Sequence, residues 1–332
     1  MYERSGGSDV LSLVDRPLPE PGAGEVRVKV AYSGVNPTDW KARSGAGIAA
    51  GAQQVPNQDG SGVVDAVGEG VDAARVGERV WLWEAAWQRQ DGTAQEYVVL
   101  PERQAVALPE GASLELGASL GIPAMTAHRA LTLADGAPAR LAPGALTGRT
   151  VLVAGGAGAV GNAAIQLARW AGATVITTVS SAEKAALAQA AGAHHVVDYR
   201  AQDATAAIRG LAPAGVDLVV EVAPTANREL DLAALAPGGT VAFYADGSGP
   251  EFTVPVRDSM TRNLRWLGIL VYTIPTPAKQ AAVAAITEAV AAGALRAGED
   301  AGLPWHRFPL SHTADAHDAV QSGAVGKVLI EL

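Results

Sequence analysis

The stretch Val151-Leu152-Val153-Ala154-Gly155-Gly156-Ala157-Gly158-Ala159-Val160-Gly161 decides how this chain of 332 residues is to be read. Residues 151–154 are a short apolar run of the buried-strand kind, and a glycine turn follows. Beyond the turn, Val160, Ala163, Ala164, Leu167, Ala168 and Ala171 recur at helical spacing on one face, the pattern of a helix packed on a sheet. Gly156-x-Gly158-x-x-Gly161 therefore sits between a strand and a helix. In that setting the first glycine permits the tight turn, the second lets the backbone approach a pyrophosphate, and the third lets helix and strand pack closely. The helix N-terminus adds free N–H groups and the positive end of a dipole. In a chain with 38 glycines the spacing alone would say little. The strand–turn–helix setting makes it a dinucleotide site.

The next strand, residues 173–179, tells which dinucleotide. Sites for NAD place Asp or Glu at its end to hold the ribose 2′-hydroxyl. Here it ends Thr177-Thr178-Val179-Ser180-Ser181, with no acid before Glu183. The hydroxyls of Ser180 and Ser181 and the ammonium of Lys184 suit a 2′-phosphate instead, which favours NADPH over NADH. Ser181 is also placed to cap the helix that carries Lys184, and the two roles are compatible.

Outward from this centre, residues 182–191 read as a helix and 195–199 as a third strand. Residues 216–222, 240–244 and 265–271 supply three more strands. Strands separated by helical stretches imply βαβ units, hence an α/β fold with a doubly wound parallel sheet. Residues 1–115 differ, being β-rich. Val26, Val28 and Val30 alternate with Glu25, Arg27 and Lys29, as in a half-buried strand. Further strand-like runs occupy 62–67, 79–83 and 96–100. Residues 113–130 then turn helical, interrupted by Gly121 and Pro123. The tail reads as helix 277–293, strand 303–310, helix 313–322 and strand 327–332, so it completes the first domain.

Composition narrows the function classes. An apolar content of 48% with 18% charged residues excludes intrinsic disorder. A net charge of −9 argues against nucleic acid as a partner, which calls for a basic footprint. The absence of cysteine excludes disulfides, iron–sulfur clusters, thiolate nucleophiles and every zinc site built on Cys. The histidines do not replace one. His194 and His195 are neighbours on a strand and point to opposite faces, and His312 and His317 are five apart on a helix. Each is expected to be structural or at the surface. No run reaches the ~18 apolar residues of a membrane span. Residues 1–7 carry no apolar signal core. A soluble, cytoplasmic protein with no membrane partner is expected.

Several stretches together resemble a known family. They are the turn region 151–161, Gly121-Ile122-Pro123-Ala124-Met125-Thr126-Ala127-His128-Arg129-Ala130, Gly34-Val35-Asn36-Pro37-Thr38-Asp39, Asp59-Gly60-Ser61-Gly62-Val63-Val64, and Ser322-Gly323-Ala324-Val325-Gly326-Lys327-Val328. The chain resembles, from about residue 5 to its end, the zinc-independent medium-chain dehydrogenase/reductases, in the quinone oxidoreductase (zeta-crystallin-like) branch. The resemblance implies a GroES-like β-rich catalytic domain, residues 1–121 and 273–332, around a Rossmann domain, residues 122–272, with the active site in the cleft between them. It also implies Asn36 and Thr126 near the nicotinamide and Gly158, Ala159 and Val160 at the pyrophosphate. Ser180, Ser181, Lys184 and Tyr199 fall at the 2′-phosphate, and Lys327 near the cofactor. Two departures stand out. The family usually has a strand before the equivalent of Tyr2-Glu3-Arg4. Where relatives often carry a tyrosine five residues after the asparagine, this chain has Lys41. Family members pair through the last Rossmann strand, so the apolar run Trp266, Leu267, Ile269, Leu270 and Val271 is expected to build a C2 homodimer.

Without a metal, hydride transfer needs an acceptor activated by its own conjugation, a quinone or an α,β-unsaturated ketone. Charge then gathers on a distant oxygen and needs preorganised donors, for which Asn36, Lys41 and Thr126 are the candidates. Trp81, Trp83 and Trp87 suit either stacking on a flat substrate or the core, with the core favoured. Asp39 and Arg43 are spaced for an ion pair. The leading expectation is an NADPH-dependent quinone reductase. An enoyl or enone reductase, and a non-catalytic NADPH-binding protein of the crystallin type, remain alternatives.

Overall fold

The computed structural model describes residues 1–45, 52–247 and 249–332, which divide into two compact units, Met1–Ile122 with Pro304–Leu332 and Pro123–Leu303. The first unit begins with strand β1 (Glu25–Val35), helix α1 (Pro37–Ser44), strands β2 (Asp59–Val67), β3 (Arg79–Leu82), β4 (Tyr97–Pro101) and β5 (Ala105–Ala107), and the first half of helix α2 (Leu114–Leu131), whose residues from Pro123 on belong to the second unit. The alternation along β1 appears as read, with Val26, Val28 and Val30 in the core beside Val64, Val80, Leu82, Val98 and Leu100. Strand β1 is the hub, antiparallel to both β2 and β4. Proline at the first position of α1 has its φ preset for the helix and gives up no hydrogen bond there. Helix α2 is broken at Gly121 (φ −10°, ψ −110°), two residues before Pro123, whose ring and missing N–H disrupt the preceding turn.

The second unit runs through β6 (Thr150–Ala154), α3 (Ala159–Trp170), β7 (Thr174–Val179), α4 (Ala182–Ala190), β8 (His195–Asp198), α5 (Ala204–Leu211), β9 (Val216–Glu221), α6 (Pro224–Ala234), β10 (Leu235–Phe243), α7 (Val256–Thr261), β11 (Arg265–Gly268) and α8 (Thr276–Ala291). Its six strands lie in the order β11-β10-β9-β6-β7-β8, all parallel. This is the doubly wound arrangement, with its switch point between β6 and β9. Leu152, Ile176, Val197, Ile208, Val219 and Val241 fill one core of this unit.

Of the boundaries that differ from the sequence reading, two have a clear physical cause. The strand expected over 265–271 stops at Gly268, because its partner β10 ends at Phe243, which pairs with Gly268. The apolar residues 269–271 outlast the strand they would pair with. The second domain boundary, expected at 272–273, falls at Leu303–Pro304. Two side chains of α3 explain the shift. Asn162 Nδ2 donates to the Ala301 carbonyl (2.7 Å), while Gln166 bonds both the N–H (3.0 Å) and the carbonyl (2.9 Å) of Arg296. The leg leaving α8 is thereby held to the parallel-sheet unit.

The tail then returns to the first unit as β12 (Trp305–Pro309), α9 (Thr313–Gln321) and β13 (Lys327–Glu331). Strand β13 is parallel to β12 and antiparallel to β1, with Val35 opposite Val328. This register brings the start of α1 beside Lys327. Among the described residues no helix is long and apolar enough to cross a membrane.

Candidate functional site

In the second unit the site is the turn after β6. A Cβ on Gly156 would lie 2.2 Å from Thr177 Oγ1, and one on Gly161 would lie 2.4 Å from the Gly155 carbonyl oxygen. Both positions are closed to any side chain by packing. At Gly158 the nearest atom to a Cβ is 3.5 Å away, so the protein itself leaves that face open. Gly158 is the N-cap of α3 and no side chain caps the helix, leaving the N–H groups of Ala159, Val160 and Gly161 for an anion. Packing thus requires glycine at 156 and 161 and leaves the face at 158 clear. The residues present fit a pyrophosphate.

At the end of β7, Val179 is buried where an acid would hold a ribose hydroxyl. Lys184 reaches back one turn of α4, and its Nζ donates to Ser180 Oγ at 3.1 Å. Ser181 Oγ accepts the Lys184 N–H at 3.3 Å and caps the helix, as its spacing suggested. Tyr199 follows β8 with its N–H on the Val179 carbonyl (3.1 Å), which sets its backbone beside the same strand end, and the residue is half-exposed. Ser180, Ser181, Lys184 and Tyr199 therefore gather in one place.

The first unit holds a buried polar cluster. Lys327 is 1% exposed, and its Nζ donates to Asn36 Oδ1 (2.7 Å) and Asp59 Oδ2 (3.2 Å). Asn36 Nδ2 donates to the same Asp59 oxygen at 2.7 Å, and the Asn36 N–H donates to Asp39 Oδ2 at 2.7 Å. Burial, with the Asp59 charge nearby, pushes the Asp39 carboxyl up to about 8. The ion pair suggested for Asp39 is not formed, since Arg43 donates to Gln321 instead (3.0 Å). Sequence reasoning joined Asn36 to Lys327 only through the family, and it missed Asp59 and Asp39 as members of the cluster. The signal for Asp59 was its place at the head of Asp59-Gly60-Ser61-Gly62.

The remaining candidates are more dispersed. Lys41 lies on the exposed side of α1. Thr126 is buried on the second half of α2. Trp81 and Trp83 are buried, in keeping with a core role. His317 is buried on α9 and donates from Nε2 to Asn57 Oδ1 at 3.0 Å. His194 stands just before β8 rather than on it, its Nδ1 accepting the Val175 N–H. Missed entirely was a buried group at the C-terminal end of β9. Asn227 Nδ2 donates to the Glu221 carboxylate (3.0 Å), and burial beside Glu221 holds the Asp231 carboxyl well above its usual range.

Comparison with known proteins agrees with this geometry. Residues 22–110 match the alcohol dehydrogenase GroES-like domain, and residues 159–288 match the family described as zinc-binding dehydrogenase. The chain is 30% identical to the human quinone oxidoreductase over 332 residues, covering 98% of this chain and 95% of that protein. A mycobacterial protein solved in complex with NADPH superposes with a TM-score of 0.82 at 29% identity, over 100% of this chain and 98% of that one. An enoyl reductase, CurK, does so with a TM-score of 0.81 at 25% identity, over 99% and 97%. A GroES-like unit, a doubly wound unit and a full-length match at this identity place the chain: it belongs to the quinone oxidoreductase family of medium-chain dehydrogenase/reductases.

Proposed function

We propose that this protein reduces a quinone with NADPH, without a metal. The observation that carries the reading is the buried Asn36–Lys327 bond, which gathers donors in a corner where a developing negative charge would be poorly hydrated. NADPH, when bound, supplies the hydride. Gly158, Ala159 and Val160 hold the pyrophosphate on the open start of α3, and Gly156 and Gly161 shape that turn. Ser180, Ser181, Lys184 and Tyr199 bind the 2′-phosphate. Asn36 and Thr126 orient the nicotinamide end. The Asn36 amide has a second N–H that none of its bonds in the cluster uses, and this N–H meets the acceptor oxygen as charge gathers there. That oxygen then takes its proton from water. Lys41, exposed on α1, adds a positive charge where relatives often have tyrosine.

Metal independence is supported by the absence of cysteine from the sequence. A second reading, reduction of an enone, is favoured by the similarity to the CurK enoyl reductase. NADPH oxidation measured with 9,10-phenanthrenequinone and with a simple enone separates the two. Turnover of the quinone is expected to exceed that of the enone and to survive a strong chelator. Oxidation of NADPH with neither acceptor overturns the reading.

A C2 dimer goes with this proposal. Strand β11 is the sheet edge, and Val256 (77% exposed), Met260 (65%) and Leu270 (52%) stand on α7 and just past β11. Apolar side chains beside an unpaired edge suit a second copy of the chain. A sedimentation mass of one chain at micromolar concentration would reject the dimer.

A further inference from the structure

We infer that Asp59 is the positioning residue of the first unit's cluster, fixing the orientation of the Asn36 carboxamide. The inference rests on the role proposed above for Asn36. A carboxylate only accepts hydrogen bonds and an ammonium only donates them, whereas an amide can do both and can turn over. Asp59 Oδ2 accepts from Asn36 Nδ2 at 2.7 Å, so the NH2 end must face the carboxylate. Lys327 Nζ donates to Asn36 Oδ1 at 2.7 Å, so the carbonyl end must face the ammonium. Both partners enforce one orientation. With one N–H spent on Asp59, the other is left as a donor of fixed direction.

Three separate features hold the carboxylate in place. The Ile122 N–H donates to Asp59 Oδ1 at 2.8 Å, a bond made possible by the break in α2 at Gly121. A Cβ at Gly121 would lie 2.0 Å from that same oxygen, so only glycine fits there. At Gly34 a Cβ would lie 3.2 Å from Asp59 Cβ and 3.0 Å from Lys327 Cε, so the β1 backbone comes close to both partners. Asp59 itself is fully buried. A carboxylate removed from water this completely needs its three donors, the Ile122 N–H, Asn36 Nδ2 and Lys327 Nζ. Its second oxygen connects it to the two candidate site residues Asn36 and Lys327.

The test has two readouts on the full chain. In protein labelled with 15N at asparagine, the Asn36 side-chain amide, assigned by its loss in Asn36→Ala, is expected to exchange slowly with solvent in the cofactor-free wild type. In Asp59→Asn it is expected to exchange at least tenfold faster. In turnover of the quinone, Asp59→Asn is expected to lower kcat at least tenfold with the Kd for NADPH changed less than threefold. In the Asn36→Ala background the same substitution is expected to cost less than twofold, because its effect passes through Asn36. A merely structural Asp59 would cost as much in both backgrounds, and that result overturns the inference, as does an unaltered amide in Asp59→Asn. If Asp59→Asn does not fold, Asp59→Glu, which keeps the charge and displaces the carboxylate by one methylene, is read the same way. A slow amide in a protein without turnover would defeat the proposed function and leave the inference about Asp59 standing.

Discussion

The glycine turn after β6 and the Asn36–Asp59–Lys327 cluster are both small, glycine-lined and rich in hydrogen-bond donors, yet they are assembled in opposite ways. The turn is built from residues 154–162, contiguous in the chain, with backbone N–H groups as its working parts. The cluster draws on residues 36, 59, 121–122 and 327, from the N-cap of α1, β2, the broken helix α2 and the last strand, with side chains as its main working parts. A site made of local backbone tolerates changes of side chain but not of backbone clearance. A site made of side chains from distant segments depends on charge balance, and losing one member strands the others.

The comparison can be broken most forcefully at Lys327. Replacing it with Met leaves Asp59 as an uncompensated buried charge, and a loss of ~3–5 kcal/mol in urea unfolding is expected. A loss below ~1 kcal/mol would mean that the cluster is not a charge-balanced unit. Acid unfolding comes next. Burial lowers His317 to about 3 and His128 to about 4, so the unfolded chain takes up protons first as the pH falls. Their contribution is complete above about pH 6.5 and is lost progressively toward pH 4, by up to ~1.4 kcal/mol per pH unit for each histidine. His317→Gln should flatten this slope, whereas an unchanged slope would remove His317 from the account. Asp39, raised to about 8, has the opposite sign. The folded state keeps its proton longer than the unfolded one, so stability falls as pH rises from about 4 toward 8, and Asp39→Asn should abolish that fall.

Two glycines of the turn sharpen the contrast within one loop. Gly161→Ala drives a Cβ into the Gly155 carbonyl and is expected to cost ~1–3 kcal/mol of stability. Gly158→Ala meets nothing closer than 3.5 Å and should leave the unfolding midpoint alone. It should instead weaken NADPH at least tenfold by fluorescence titration. Equal effects of both changes on stability would undo the division of roles. The smallest effect belongs to Lys184→Ala, expected to weaken NADPH by ~1–2 kcal/mol, the scale of one charge-assisted hydrogen bond, and to leave NADH nearly unchanged.

The same contrast explains what could be read from the sequence. The strand, turn and helix of 151–171 were legible because periodicity and glycine spacing are local properties. The Ser180–Lys184 contact was legible because it spans a single helical turn. Asp59 was not, because an acid at the start of a strand resembles any turn residue until three partners, up to 268 positions away, are known. Lys327 as an isolated lysine would be assigned to the surface, and only its register against β1 buries it. Gly121 was seen as an interruption of a helix, but the direction in which the break aims the Ile122 N–H is a tertiary fact. The boundary at 303 escaped for a similar reason. It is set by Asn162 and Gln166, two polar residues on a helix face otherwise read for its alanines.

Those two side chains tie together ends of the second unit that are far apart in the sequence. Helix α3 has no side-chain cap at its first turn, and its inner face fastens the Arg296 and Ala301 backbone, the segment through which the chain leaves this unit. An anion that steadies the start of α3 therefore steadies the exit segment as well. Amide hydrogens over 296–302 would then exchange more slowly once nucleotide is added, making a stretch remote from the phosphate turn a spectator that records whether the turn is filled.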